Sequence, residues 1–215
     1  MEYVEKRFKF YALWMCAFII LVFIMQTLIS GFTEFFVLDS AKIFEFWRFF
    51  TSIFLHAGLA HLVLNLFALA LFGSILERFI GGKRFLLVFF VSGIIANLIS
   101  VNFYSSSLGA SGAIFGVIGA LVLIRPLMTV WAFGLPMPLF VAGIIWIAGD
   151  LMGAYGFLTG NPIDNTGNIA HLSGILIGIL FGAFYRRFFK RERRTTEGVR
   201  IPESYMRDWE DYYLK

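Results

Sequence analysis

The sequence predicts an all-α integral membrane protein with six transmembrane helices, and this prediction rests on three observations. These are an apolar composition, a charge-free run long enough for two spans, and basic residues gathered on one side. The chain is 59% hydrophobic and only 15% charged, with mean hydropathy +0.80, whereas a soluble domain carries about a quarter charged residues. The single Cys16 excludes an internal disulfide and is expected to pack among apolar neighbours.

The net charge of +4 comes from basic residues that flank apolar segments, which is typical of membrane helices rather than of a nucleic-acid-binding face. We therefore expect membrane lipid as the surroundings and no nucleic-acid partner. Lysine and arginine also predict the orientation. With the N-terminus inside, 16 of the 18 lie on the inner side and only Lys42 and Arg48 lie outside. By the positive-inside rule, both termini are expected in the cytoplasm.

Six apolar segments between residues 10 and 188 are the expected helices. The first, about 10–30, is longer than the apolar region of a signal peptide, roughly 7–15 residues, so we expect it to be retained. The second covers about 51–80. The run from Phe85 to Ile124 has no charged residue, and 40 residues suit two spans of about 20.

A polar cluster at 102–107 divides that run into helices of about 85–101 and 110–124. The fifth and sixth helices are expected at about 138–158 and 169–188. Together the six helices would form one domain, residues 1–189, followed by a short polar cytoplasmic tail, residues 190–215. The segment 31–50 is interpreted as an interfacial loop, since it mixes charged residues with Phe and Trp.

Three helices each carry a polar residue at a similar distance from a basic inner end. The pairs are Asn65 and Arg78, Ser111 and Arg125, and His171 and Arg186, separated by 13, 14 and 15 residues. At 1.5 Å per residue, the polar side chains lie roughly 20–23 Å above the inner boundary. The second, fourth and sixth helices therefore bring them to one layer, about 10 Å below the outer surface of a ~30 Å core.

Small residues repeat every four positions on two of these helices. They are Gly112, Gly116 and Ala120 on the fourth, and Ala170, Gly174, Gly178 and Gly182 on the sixth. Such stripes let helix backbones touch in lipid. Packing alone would explain them, with Ser111 as one more small residue. His171 beside the matching stripe favours a second interpretation, in which an imidazole base activates a serine nucleophile.

His61 and Asn65 are four residues apart and share a helix face, whereas His56 and His61 are five apart and do not. We expect His61 and Asn65 to point towards Ser111 and to stabilise an oxyanion, together with the backbone N–H of Ser111. His56 is expected nearer the helix mouth, as a hydrogen-bonded structural residue that supports the site.

A metal site is the competing chemistry, because three histidines are present. The sequence has no His-Glu-x-x-His motif and no second thiolate or well-placed carboxylate to complete a ligand set. We therefore predict neither a metal nor another cofactor. Asp150 is the possible exception, at a middle depth on the fifth helix. It could orient a histidine, cap a helix break or face a water-filled cavity, and we interpret it as structural.

These motifs together resemble the rhomboid family of intramembrane serine proteases, from Trp47 to Gly182. The matching segments are Trp47-Arg48, His56-x4-His61-x3-Asn65, Glu77-Arg78, Gly109-x-Ser111-Gly112 and Ala170-His171-x2-Gly174-x3-Gly178. Each motif is weak alone. In this order, each in its own segment, they are highly specific.

The resemblance implies a Ser111/His171 dyad without an acidic third member, and an intramembrane serine endopeptidase that cleaves transmembrane segments of other proteins. It implies oxyanion stabilisation by His61 and Asn65, a preference for small residues at the cleaved bond, and a Phe115 ring stacked on His171. Trp146 would belong to a lateral substrate gate. A prokaryotic plasma membrane, with the site open to the extracytoplasmic side, fits the short architecture.

Two other classes of protein remain as alternatives. A non-catalytic relative would bind transmembrane clients, but such proteins usually lack the serine or the histidine. A small transporter would show internal repeats, broken helices or more charge within the membrane. The natural substrate and the oligomeric state are left open by the sequence.

Overall fold

The computed structural model describes residues 9–163 and 167–196, with side chains as far as residue 187. The chain is mostly helical. The long helices are α1 (Tyr11–Leu28), α4 (Leu59–Ile80), α5 (Gly82–Ser100), α6 (Ser111–Ile124), α7 (Leu139–Leu158) and α8 (Asn168–Thr196). Two short helices, α2 (Phe32–Phe36) and α3 (Arg48–Thr51), lie between α1 and α4.

Five of the long helices are long and apolar enough to cross a membrane, which makes the chain an integral membrane protein. Of the six long helices, α6 is the exception: it is apolar but has only 14 residues. Nine of those 14 are buried, so α6 lies inside the bundle with neighbouring helices around it. The predicted sixth crossing and the cytoplasmic termini remain predictions.

The predicted start of the second helix is wrong. Residues 51–58 do not belong to α4: a 3₁₀ turn covers Ser52–Phe54, and Leu55 and Gly58 have extended backbone. The side chain of Gln26 on α1 supplies hydrogen bonds that a helix would otherwise provide. Its Oε1 accepts from the His56 N–H at 2.9 Å, and its Nε2 donates to the His56 carbonyl at 3.3 Å. Non-helical backbone at membrane depth needs such partners.

The sixth predicted helix begins one residue earlier than expected and continues past residue 188 to Thr196. Lys, Arg and Glu in this stretch are good helix formers, so the polar sequence does not end the helix. Of the predicted tail, residues 197–215 lie outside the described residues, as do residues 1–8 and 164–166. The division into a 1–189 domain and a tail is not tested and stays a prediction.

Two small antiparallel ladders add strands that an all-α prediction does not contain. The first pairs β1 (Leu38–Asp39) with β2 (Ser106–Ser107), joining the loop after α1 to the segment before α6. The second is the hairpin of β3 (Thr129–Ala132) and β4 (Leu135–Pro138). Its two turn residues, Phe133 and Gly134, both have positive φ, as tight two-residue hairpin turns require.

The closest helix pair is α6 and α8, and the small-residue stripes form its interface. A Cβ added to Gly174 would overlap the carbonyl of Gly112, and one added to Gly178 would overlap the carbonyl of Gly116. One turn further, a Cβ on Gly182 would lie 2.7 Å from the Ala120 carbonyl oxygen. The predicted backbone contact between the two stripes is therefore confirmed. It brings the first residue of α6 next to the first turn of α8.

Candidate functional site

Ser111 is the first residue of α6, and the turn before it is shaped by Gly109. Gly109 has φ +123°, a conformation that favours glycine. A Cβ there would lie 2.7 Å from Cε1 of His61, so glycine also lets the His61 ring approach. The position of Ser111 at the helix start leaves its backbone N–H without an intrahelical acceptor, as in the first turn of any helix.

The backbone before Ser111 is fixed by a buried polar cluster. The Gly109 N–H donates to the Ser52 carbonyl at 2.9 Å. Asn97 on α5 donates from Nδ2 to Ser52 Oγ at 3.0 Å and to the Phe49 carbonyl at 2.8 Å. Arg48, also buried, donates from Nη1 to the carbonyls of Glu34 and Val37. The predicted interfacial loop is thus tied to the segment that presents Ser111.

His171 lies in the first turn of α8 and is only 7% exposed. Its ring stacks on Phe115, with centroids 4.3 Å apart and planes 9° apart, as the resemblance implied. Its Nδ1 lies 3.0 Å from Oδ1 of Asp150 on α7. Of the two ring nitrogens, Nε2 is therefore the one left to act in the cavity. Among the described residues, no hydrogen bond joins Ser111 Oγ to this ring.

Asn65 and His61 lie on one face of α4, as predicted from their spacing. The Asn65 amide is buried, and one Nδ2–H donates to the His61 carbonyl at 2.8 Å. An amide has two N–H donors, so the second stays available to a ligand. The His61 ring packs against Gly109 and lines the same cavity as Ser111.

The helix-face argument does not apply to His56 and His61, because the chain is not helical at His56. Their ring centroids are 5.0 Å apart. His56 is 2% exposed, and its Nδ1 lies 3.2 Å from the Phe54 carbonyl.

One cavity of about 1040 Å³ joins the predicted site residues. Its polar and aromatic lining comes from five long helices and the loop before α6. The residues concerned are His61, Asn65, Asn97, Tyr104, Ser106, Ser107, Ser111, Phe115, Trp146, Phe157 and His171, with Gly109 and Gly112. Ser111, His171, His61 and Asn65 thus meet at one place, as the depth calculation predicted. His56 does not belong to the described lining.

Asn97 and Tyr104 line the cavity but were not predicted from the sequence. Asn97 is a polar residue inside an otherwise apolar helix, and that is the signal by which it could have been found. Tyr104 accepts a hydrogen bond at its hydroxyl from the Ile169 N–H at 3.2 Å. It thereby links the loop before α6 to the first turn of α8, a contact that no local pattern reveals.

Fold and site together define an integral membrane protein whose helices enclose a polar cavity with a serine and a histidine on facing helices. The family model described as the rhomboid domain matches residues 43–188, which is more than half of the 215 residues. The chain belongs to the rhomboid family.

Several relatives are similar over part of their length. Rhomboid protease GluP of Bacillus subtilis (strain 168) is 41% identical over 135 residues, covering 60% of this chain and 25% of the relative. RHOMBOID-like protein 6, mitochondrial, of Arabidopsis thaliana is 36% identical over 137 residues, covering 62% and 42%. Inactive RHOMBOID-like protein 8 of the same plant is 40% identical over 80 residues, covering 36% and 23%.

The chain therefore spans less than half the length of each of these relatives. Their names include a protease, a mitochondrial protein and an inactive protein. Membership of the family supports intramembrane proteolysis at the level of the family. The activity and membrane of this chain have to be argued from its own residues.

Proposed function

We propose that this chain is an intramembrane serine endopeptidase that uses a Ser111/His171 dyad on transmembrane segments of other proteins. The observation that carries the proposal is that both residues line one cavity together with His61 and Asn65. The backbone contact of α6 with α8 supports it, because it holds the first turns of these two helices side by side.

In the proposed reaction, Ser111 Oγ attacks the carbonyl carbon of the scissile bond while His171 Nε2 takes the hydroxyl proton. The oxyanion receives hydrogen bonds from the Ser111 backbone N–H, Asn65 Nδ2 and His61. The imidazolium then protonates the leaving nitrogen as the C–N bond breaks. Water attacks the acyl-enzyme, His171 takes the proton of that water, and Ser111 is released with the proton returned to Oγ.

Water and substrate have to reach the cavity by different faces. Ser106 and Ser107 line it on the side of the β1–β2 ladder, and we place the opening to water there, towards the extracytoplasmic side of a plasma membrane. Trp146 on α7 meets Phe72 of α4 with ring centroids 6.0 Å apart. Separation of α4 and α7 at this pair would admit a substrate from the lipid.

A substrate helix has to unwind before its carbonyl can enter the cavity. Segments that contain Gly or Pro unwind more easily, because both residues destabilise a helix. We therefore expect substrates with such residues close to the cleaved bond. A survey in which only stable, uninterrupted helices are cleaved would contradict this expectation.

The first test is reaction with a fluorophosphonate, which phosphonylates activated serines with loss of fluoride, using the full chain in detergent micelles or liposomes. The expected result is one adduct, located at Ser111 by mass spectrometry of peptides, and cleavage of a model transmembrane substrate by the same preparation. A folded protein that neither reacts nor cleaves would favour the alternative of a non-catalytic protein that binds transmembrane clients. One relative is named inactive, so this test distinguishes a protease from a protein without activity.

Replacement of Asn65 by alanine is expected to lower kcat by on the order of 10²-fold, the usual loss when one oxyanion donor is removed. Asn102→Ala is the matched control, since Asn102 is exposed and its amide donates to carbonyls of its own helix end. Cleavage kinetics of both variants check the prediction. Equal kcat for Asn65→Ala and the control would show that Asn65 does not stabilise the oxyanion.

A further inference from the structure

We propose that Asp150 is a positioning residue for His171, so that this chain has an acidic third member where the family resemblance implies a dyad. The inference rests on the proposed function of Ser111 and His171. It is carried by the 3.0 Å contact of Asp150 Oδ1 with His171 Nδ1, between residues that are 8% and 7% exposed.

The contact determines which ring nitrogen is free. An ionised carboxylate only accepts hydrogen bonds, so His171 Nδ1 has to carry the proton and Nε2 keeps its lone pair. That is the tautomer in which Nε2 can take the proton of Ser111 Oγ. When it does, both nitrogens are protonated and the imidazolium lies beside the carboxylate. Asp150 itself gains no proton, and the proton on Nε2 passes to the leaving nitrogen.

The contact also fixes the direction of the ring. The stacked Phe115 holds one face of the imidazole, but stacking alone is compatible with a half-turn flip of the ring about its Cβ–Cγ bond, which exchanges the positions of Nε2 and Cε1. A hydrogen bond at Nδ1 removes that freedom and aims Nε2 in one direction. Correct orientation of a base is a large part of its effect on rate.

A second contact brings α7 and α8 together at this point. Gly153 lies three residues after Asp150, and Asn168 lies three residues before His171. A Cβ on Gly153 would overlap the Asn168 side-chain amide. The missing side chain therefore lets Asn168 pack against α7, one helical turn from the carboxylate. Because two neighbouring contacts join the same pair of helices, the packing of α7 on α8 holds Asp150 at this distance from His171.

Asp150 acts through His171 and not on a substrate. His171 lines the cavity, whereas Asp150 is not part of the described lining. Loss of Asp150 should therefore lower kcat and leave KM nearly unchanged. Asp150 does not bind the substrate in the ground state, so its loss weakens only the transition state.

The first measurement determines the tautomer of His171 in the wild type. The chain has only three histidines, so NMR spectra of ¹⁵N-histidine-labelled protein in micelles can resolve each ring, with His171→Ala used to assign the signals of His171. The expected tautomer at neutral pH is Nδ1–H. An Nε2–H tautomer of His171 would overturn the proposal, whether or not Asp150→Asn folds.

The second measurement compares Asp150→Asn with the wild type. The amide of asparagine can donate to Nδ1, which would force the proton onto Nε2. We expect the His171 signals to change to the Nε2–H tautomer, kcat to fall by about tenfold or more, and fluorophosphonate reaction to slow in parallel. Gly149→Ala is the control on the same helix, because a Cβ at Gly149 meets open space; its kcat should equal that of the wild type.

The two proposals fail in different ways. A wild type that neither cleaves nor reacts contradicts the proposed function. An active wild type whose kcat survives Asp150→Asn contradicts only the role of Asp150. If Asp150→Asn does not fold, as judged by its thermal unfolding, the His171 tautomer of the wild type alone decides whether Asp150 positions His171.

Discussion

Replacement of Ser111 by alanine is expected to reduce cleavage of a transmembrane substrate by on the order of 10³-fold or more. The cleavage rate of His171→Ala should be similarly low. The double variant should be only slightly slower, because the effects of residues that act in one step do not add. The physical reason is that alanine has no oxygen to attack the carbonyl, and that without His171 no base accepts the serine proton. Single-turnover cleavage in liposomes measures all three variants.

Ser173→Ala is the matched control for the loss of a hydroxyl. Ser173 lies on α8 close to His171 in sequence, but its Oγ donates to the Ile169 carbonyl at 2.6 Å. Its removal should leave cleavage near the wild-type rate. Equal cleavage by Ser111→Ala and the wild type would show that the activity comes from a contaminant, and it would end the assignment.

The meeting of Ser111, His171 and Asn65 could be predicted because it depends on regular geometry. A helix rises 1.5 Å per residue, so counting from basic helix ends gives depth, and a four-residue spacing gives the face. Both quantities are present in the sequence itself. The glycine stripes add the contact between α6 and α8, since residues without a side chain mark where two backbones meet.

The start of α4 could not be predicted in the same way. Residues 51–58 contain no Asp, Glu, Lys, Arg or Pro, and nothing local in them opposes a helix before Gly58. The competing hydrogen bonds come from Gln26, thirty residues earlier. The same limit applies to the β1–β2 ladder, whose strands are far apart in the chain. Such features need the tertiary structure, because their partners are not neighbours in sequence.

Asp150 shows the limit of the resemblance. Its depth on the fifth helix is compatible with several roles, among them the orientation of a histidine, whereas the dyad that the resemblance implies gives it only a structural role. The structure places its carboxylate against His171. A pairwise contact between two helices depends on their rotation about their own axes, which depth and spacing within each helix do not determine.

Replacement of Gly178 by leucine is expected to prevent the folding of the bundle. Even a Cβ at this position would overlap the carbonyl of Gly116, and backbone cannot move aside as a flexible side chain can. The helices would have to separate along the whole stripe, which would also move His171 away from Ser111. We expect loss of the cooperative thermal unfolding transition in detergent, together with loss of fluorophosphonate reaction.

Gly178→Ala already places a Cβ against the Gly116 carbonyl, so we expect it to lower the free energy of unfolding by about 3 kcal/mol or more, at or above the upper end of the usual cost of overpacking. Gly149→Leu is the control for adding a leucine to a glycine in a membrane helix, because its Cβ would face open space. An unchanged unfolding temperature for Gly178→Leu would mean that α6 and α8 do not touch through their backbones. The close approach of Ser111 and His171 would then need another explanation, because the backbone contact between α6 and α8 is what holds the helices that carry them together.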